Sequence, residues 1–297
     1  MSKSIVSSPG GRRLSRVVPH LTTTRLGVVE HRDDGDGPAL LALHGGMGGF
    51  DQSRLLAEAL LAEPAGFRVI ALSRPGYLGT PLRDGDPADL YAALLDELDI
   101  DRAVVAAVSA GGPSAIAFAA RHPDRCAGLI LVSTASGWFE VPEHVIRRLK
   151  QFQALCRVPG LARLMGWVMG RHPERARSVR DPDLLRRTLE HPEAGPLMLA
   201  LQRSVFQRLA ERLPGTIADT LAFADLPPLP LDQVLAPTLV IHGDGDQVVP
   251  FAHGVRSAGE IAGADLLVVP GGEHVCLFTH LDEVRAQVAG FLGRVRG

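Results

Sequence analysis

Six short stretches of this chain are too apolar to turn a face to water. Ala39-Leu40-Leu41-Ala42-Leu43 is unbroken, and residues 67–72, 103–106, 128–133, 237–241 and 266–269 approach it. Runs of this length suit strands buried on both faces. Helical patterns separate them. Residues 52–61 form one; Asp86-Pro87 supplies an N-cap and a first-turn proline for a second, through Leu90, Leu94, Leu95 and Leu98; Val284, Val288, Phe291 and Leu292 mark the last. The alternation implies an α/β fold, a mostly parallel sheet with helices on both faces. In such sheets chemistry gathers in the loops that leave the carboxyl ends of the strands.

The chain does not keep this texture throughout. Residues 1–24 read as a tail or a poorly fixed first strand, and residues 25–31 as a strand ended by the turn formers of 33–38. From Trp138 the pattern becomes purely helical, and Pro227-Pro228-Leu229-Pro230 closes it as a stiff linker. The division is therefore a core of residues 25–137 and 234–297, with residues 138–233 inserted as a separate helical unit. Between residues 143 and 213 there are 14 Arg and Lys against 7 Asp and Glu. That excess either attracts anionic substrates or lies on a solvated helical face.

Composition excludes several classes. A net charge of −2 gives no global field for nucleic acid or an anionic membrane. Cys126, Cys156 and Cys276 are far apart, with no Cys-x-x-Cys pair, which argues against a disulfide framework or zinc ribbon and suits a reducing compartment. Neither a signal-length apolar run near the N-terminus nor a window of about 18 apolar residues is present, so the expected location is the cytoplasm. No His-x-x-x-His pair suggests a metal, and no cofactor is expected. A homodimer stays open.

The chemistry centres on Ala107-Val108-Ser109-Ala110-Gly111-Gly112, a tight bend between an apolar strand and the helix-forming residues 113–122. A serine at such a bend has its hydroxyl held above the sheet edge, and the next N–H can help bind an oxyanion. Ala107 stands where the usual pattern has its first glycine, and Gly111 keeps the second. The plainer alternative is a serine in an ordinary glycine-rich loop. A hydroxyl needs a base, and the base an orienting group. His274, in Gly271-Gly272-Glu273-His274, and Asp246, in the loop after residues 237–241, stand at strand ends of the same kind. Asp244 and Glu140 compete with Asp246. His44 and His242 read as loop braces, and His122, His253 and His280 as surface or helix-end residues. Cys276 reads as a packing residue. Arg74, in Ser73-Arg74-Pro75-Gly76-Tyr77, either forks a substrate carboxylate or braces its own loop.

Together these motifs, with His44-Gly45-Gly46-Met47-Gly48 and Ile241-His242-Gly243-Asp244-Gly245-Asp246-Gln247-Val248-Val249-Pro250, resemble the α/β-hydrolase superfamily, in the branch with a helical cap inserted in the sheet. The resemblance runs from about Leu26 to the C-terminus. It implies that Ser109 attacks a carbonyl, His274 moves the proton, and Asp246, four residues before Pro250, orients the imidazole. The oxyanion hole would use the N–H of Ala110 and that of Gly46 or Met47. A serine at the elbow sets the chain apart from branches with an aspartate nucleophile. The expected function is hydrolysis of a carboxylic ester or related small acyl substrate through an acyl-serine. Carbon–carbon bond hydrolysis, cofactor-free haloperoxidase-like perhydrolysis, acyl transfer to an alcohol or thiol, and a non-catalytic ligand-binding role are the alternatives. The many Leu, Val and Met of the cap suggest an apolar pocket.

Overall fold

The computed structural model describes residues 18–296 apart from 63–65, 139, 159, 170 and 172–178. Its strands are β1 (His20–Thr24), β2 (Gly27–Asp34), β3 (Ala39–Leu43), β4 (Arg68–Leu72), β5 (Ala103–Val108), β6 (Cys126–Val132), β7 (Thr238–Gly243) and β8 (Asp265–Val269). They form one eight-stranded sheet in the order β1-β2-β4-β3-β5-β6-β7-β8. From β4 to β8 every neighbour is parallel; β2 runs antiparallel to both β1 and β4. The expected α/β architecture is therefore present.

Alternate residues of the central strands feed two cores. Leu40, Ala42, Val69, Ala71, Val104, Ala106, Ile130 and Val132 face one side, with α1 (Phe50–Leu60) and α11 (Leu281–Arg296) over them. Leu41, Leu43, Ile70, Leu72, Val105, Ala107, Leu129 and Leu131 face the other, under α2 (Pro87–Glu97) and α3 (Gly112–Arg121). This explains the unbroken apolar runs, since no face of these strands meets water. Asp86 caps α2 by accepting the Ala88 N–H at 2.9 Å.

The N-terminal boundary differs from expectation. Residues 20–24 are not loose, because all five pair in register with β2. Residues 1–17, the rest of the expected tail, lie outside the described residues. β2 also continues to Asp34, into the stretch read as a turn. Asp33 and Asp34 pair with Ile70 and Val69, and the Asp33 carboxylate binds the Arg68 guanidinium at 2.8 Å. Pairing with a buried neighbour outweighs the turn propensity of two aspartates.

Between β6 and β7 the described residues hold α4 (Glu143–Cys156), α5 (Leu161–Met169), α6 (Pro182–Glu190), α7 (Ala194–Phe206) and α8 (Leu209–Phe223), and no strand. α6 and α7 pack on the short α10 (Cys276–Thr279), and α7 also packs on α1. α8 and Arg208, the residue that precedes it, meet the sheet side of the molecule through three ion pairs: Arg208 to Glu30 at 3.0 Å, Arg212 to Asp51 at 2.6 Å, and Asp219 to Arg74 at 2.6 Å. Part of the basic excess thus clamps the insertion to acids of the core, a use that neither sequence reading contained. α4 buries none of its side chains. No described helix is long and apolar enough to cross a membrane.

Candidate active site

Ser109 sits where β5 ends and a single 3-10 turn leads into α3. Its φ is 53°, the left-handed region that side chains other than glycine rarely adopt. Such a conformation costs on the order of 1–3 kcal/mol and persists only where the surroundings impose it. The imposition is visible. The strand end and the His44 loop close on each other so tightly that a Cβ on Gly111 would lie 2.8 Å from the carbonyl oxygens of both Leu43 and His44. Ala107, the departure from the usual glycine, is fully buried in β5 between Leu43 and Leu131. Its methyl fits, so the first glycine is not needed here.

His274 and Asp246 arrive from the loops after β8 and β7. Those loops touch: Gly245 donates its N–H to the Gly272 carbonyl at 3.0 Å, and a Cβ on Gly243 would meet that oxygen at 2.1 Å. The Ser109 Oγ lies 3.0 Å from His274 Nε2, and His274 Nδ1 lies 2.8 Å from Asp246 Oδ2. Asp246 is buried, and its second oxygen accepts the N–H groups of Val248 at 2.8 Å and Val249 at 3.0 Å. Nδ1 faces a carboxylate and so carries the ring proton, leaving Nε2 to accept from the hydroxyl. The arrangement can move a proton from hydroxyl to imidazole and hold the resulting cation against a fixed anion.

Burial alone would push the Asp246 carboxyl up. The hydrogen bonds from His242, His274 and Val249 outweigh it and hold the carboxyl well below the usual carboxylate range. A carboxyl lowered by folding contributes stability above its unfolded value, about 4, and loses it as the pH falls through the folded value. Asp246→Asn is therefore expected to be less stable than the parent at neutral pH, with the gap narrowing as the pH falls below about 4. Urea unfolding across that range checks it; a gap of constant size would contradict the assignment of the low value to Asp246.

The remaining candidates separate cleanly. Asp244 is exposed and accepts the Gly271 N–H at 2.7 Å, bracing the His274 loop from outside. Glu140 is exposed in the insertion. His242 is fully buried; its Nε2 lies 3.0 Å from the Val249 carbonyl and 3.3 Å from Asp246 Oδ2, both acceptors, so that nitrogen carries the proton. His44 accepts the Arg74 N–H on Nε2 at 2.9 Å and donates from Nδ1 to the Gly45 carbonyl at 2.6 Å. Burial, with Arg74 and Arg212 nearby, keeps it neutral by pushing its pKa well down. Both histidines are loop braces, as expected. His122 and His280 stand at the C-terminal ends of α3 and α10. His253 accepts the Ser136 N–H from the second residue of α9 (Ala252–Glu260). Cys276 is buried, its sulfur 3.6 Å from the Ser133 hydroxyl.

Two expectations change. Met47 was one of two candidates to share the oxyanion hole with Ala110, but its N–H is already donated to the Thr216 hydroxyl at 3.0 Å. Gly46 is exposed, and nothing lies within 4 Å of where its Cβ would be. Of the two candidates, that leaves Gly46. Arg74, the candidate for a substrate carboxylate, has no free edge. It is 4 % exposed, donates to the carbonyls of His44 at 2.8 Å and Gly45 at 3.3 Å, and forks Asp219 at 3.1 and 2.6 Å. Tyr77 donates to the same carboxylate at 2.5 Å. Arg74 is the brace, because Asp219 already holds its guanidinium.

Several residues of α8 that shape the site lie in no motif. Arg212, Thr216 and Asp219 share one face of α8 and grip the Asp51, Met47 and Arg74 side of the core. Glu273, beside His274, accepts the N–H groups of Arg180 and Asp181 at the start of α6. The only sequence trace is the i, i+4, i+7 spacing of polar residues on α8, which a solvated face would share. The described residues hold no cluster of side chains arranged to bind a metal.

Comparison with known proteins agrees with this architecture. The profile of the alpha/beta hydrolase fold family matches residues 38–281. The chain is 30% identical to a 2-hydroxy-6-oxononadienedioate/2-hydroxy-6-oxononatrienedioate hydrolase of Paraburkholderia xenovorans, over 89% of this chain and 90% of that protein. Among solved structures it is similar to an alpha/beta hydrolase fold protein from Nakamurella multipartita, with a TM-score of 0.75, 31% identity, and coverage of 94% and 100% of the two chains. A thermophilic esterase from Thermogutta terrifontis shares the fold at a TM-score of 0.70 and 24% identity, over 95% of this chain and 100% of that one.

Proposed function

The chain belongs to the alpha/beta hydrolase fold family and is an enzyme of the hydrolase class, and from that premise we propose a serine hydrolase that cleaves a carboxylic ester or related small acyl substrate through an acyl-Ser109 intermediate. The observation that carries the reading is the continuous line from the Ser109 hydroxyl through His274 to Asp246, at 3.0 and 2.8 Å. His274 Nε2 takes the hydroxyl proton as Oγ bonds to the substrate carbonyl carbon. The Gly46 and Ala110 N–H groups receive the developing oxyanion, each such donor lowering the barrier by about 3 kcal/mol. The imidazolium, held by Asp246, then protonates the departing alkoxide, leaving the acyl group on Ser109. Water, deprotonated by the same imidazole, attacks the acyl carbon, and the carboxylic acid leaves as the Oγ proton returns.

A second reading is favoured by the relatives, several of which are named as 2-hydroxy-6-oxononadienedioate/2-hydroxy-6-oxononatrienedioate hydrolases. Here the attacked carbonyl is a ketone and the leaving group is carbon, so the proton must go to carbon instead of oxygen. The same serine and histidine serve. Because Asp219 occupies Arg74, a dicarboxylate of that kind would have to find its cation elsewhere.

A fluorophosphonate probe together with a graded series of p-nitrophenyl esters and a 2-hydroxy-6-oxo-dienoate tests both. The expected result is labelling of Ser109 and ester turnover with a chain-length optimum. Turnover of the diketone above every ester would give the second reading the lead. No label at Ser109, with no turnover of any substrate, would overturn both.

A further inference from the structure

A cavity of about 610 Å³ opens between α5, α7 and the beginning of α8. None of its lining residues belongs to the loops that carry Ser109, Asp246 or His274. Trp167, Phe206 and Leu209 form apolar walls, while Arg163, Arg171 and Arg203 stand around them. Trp167 is 55 % exposed, a large aromatic surface left open. Arg171 lies over the Trp167 ring, 3.7 Å from its centre, and has no ion-pair partner among the described residues. The guanidiniums of Arg163 and Arg203 likewise make no hydrogen bond or ion pair there. A fourth arginine at the cavity, Arg208, is spent on Glu211 and Glu30, which also removes the one acidic group of the lining. Three cations with no acidic partner among the described residues therefore surround one concave apolar surface. All three are exposed to solvent, and a negative group placed among them would gain from every one.

We propose that this cavity is a second ligand site, separate from the Ser109 centre, that takes an amphipathic organic anion: an apolar acyl or aryl body ending in a carboxylate. The volume lies in the range of small-molecule pockets, roughly 300–1,000 Å³. The body covers Trp167 and Phe206, and a guanidinium grips the carboxylate through two parallel N–H donors. An inorganic anion would satisfy the arginines but leave the aromatic walls wet; a neutral apolar ligand would do the reverse. The site does not depend on the catalytic reading. The acid released by an ester hydrolase belongs to the same chemical class, as does any fatty or aryl acid.

The chain has two tryptophans, Trp138 and Trp167, so Trp138→Phe makes Trp167 the sole reporter. Titration of that protein with 1-anilinonaphthalene-8-sulfonate should quench Trp167 saturably at about one probe per chain, and dodecanoate below its aggregation range should displace the probe. Arg163→Gln combined with Arg203→Gln should weaken both ligands at least tenfold while turnover of a p-nitrophenyl ester is kept. Enzyme already labelled at Ser109 by a fluorophosphonate should bind as before. Three results would overturn the proposal: no saturable quenching, equal binding by the double variant, or loss of binding on Ser109 labelling. Displacement by inorganic phosphate as effective as by dodecanoate would also overturn it, since the site would then select charge alone.

Discussion

Ser109→Ala is expected to lower kcat by about 10⁶-fold while substrate affinity changes little, and Asp246→Asn to lower it by about 10⁴-fold. Both figures follow from the geometry. Without the hydroxyl, His274 can still deprotonate a water, and Gly46 and Ala110 can still receive an oxyanion, so a small residual rate remains. Without the carboxylate, the imidazole has no partner to fix its proton on Nδ1, and the tautomer that accepts from Ser109 is no longer selected. The two defects should not add, because each disables one proton path. Stability separates the serine variants further. Alanine keeps a side chain at φ 53°, whereas Ser109→Gly removes the Cβ that makes this conformation costly. The glycine variant should unfold later than the alanine variant by about 1 kcal/mol in urea. Parent-like turnover in Ser109→Ala would remove Ser109 from the chemistry, whatever the distances at the elbow.

The parallel sheet was readable because its strands are buried on both faces, and burial on both faces leaves runs such as Ala39–Leu43 with no polar residue to break them. The elbow, the Asp246 loop and the His274 loop were readable for a related reason. Each needs small residues where two chains close on each other, and Gly111 and Gly243 record that closeness directly. What stayed illegible lies between the two parts of the molecule. Thr216, Arg212 and Asp219 act on residues far away along the chain, and a polar helix face that grips a core looks, in sequence, like one that meets water. The assignment of Met47 failed on that ground, since its N–H is taken by a residue of α8. Arg74 could be read either way from its loop; only Asp219, brought in by the fold, decides for the brace. The β2 extension failed for a simpler reason: Asp33 and Asp34 have turn chemistry but also a strand to pair with.

Asp219→Ala should destabilise the protein by about 3–5 kcal/mol. The carboxylate accepts from both Arg74 terminal nitrogens and from Tyr77, and it is the only acid paired with that arginine among the described residues. Arg74 is almost wholly buried, and although burial opposes its charge, Asp219 and Tyr77 raise its pKa far enough to keep it ionised. Removing the acid therefore leaves a charge in the interior instead of neutralising it. The same guanidinium donates to the carbonyls of His44 and Gly45, which precede Gly46, so activity should fall along with stability. Replacing both partners by apolar residues, Arg74→Met with Asp219→Leu, is expected to recover most of the stability, because no unpaired charge remains. It should not recover the activity, because the His44 carbonyl loses its Arg74 donor and the Gly45 carbonyl keeps only the His44 ring. Urea unfolding and ester turnover, measured on the same three proteins, distinguish these terms. An Asp219→Ala protein as stable as its parent would mean that the Arg74 charge is solvated by some other route and that α8 does not clamp this loop.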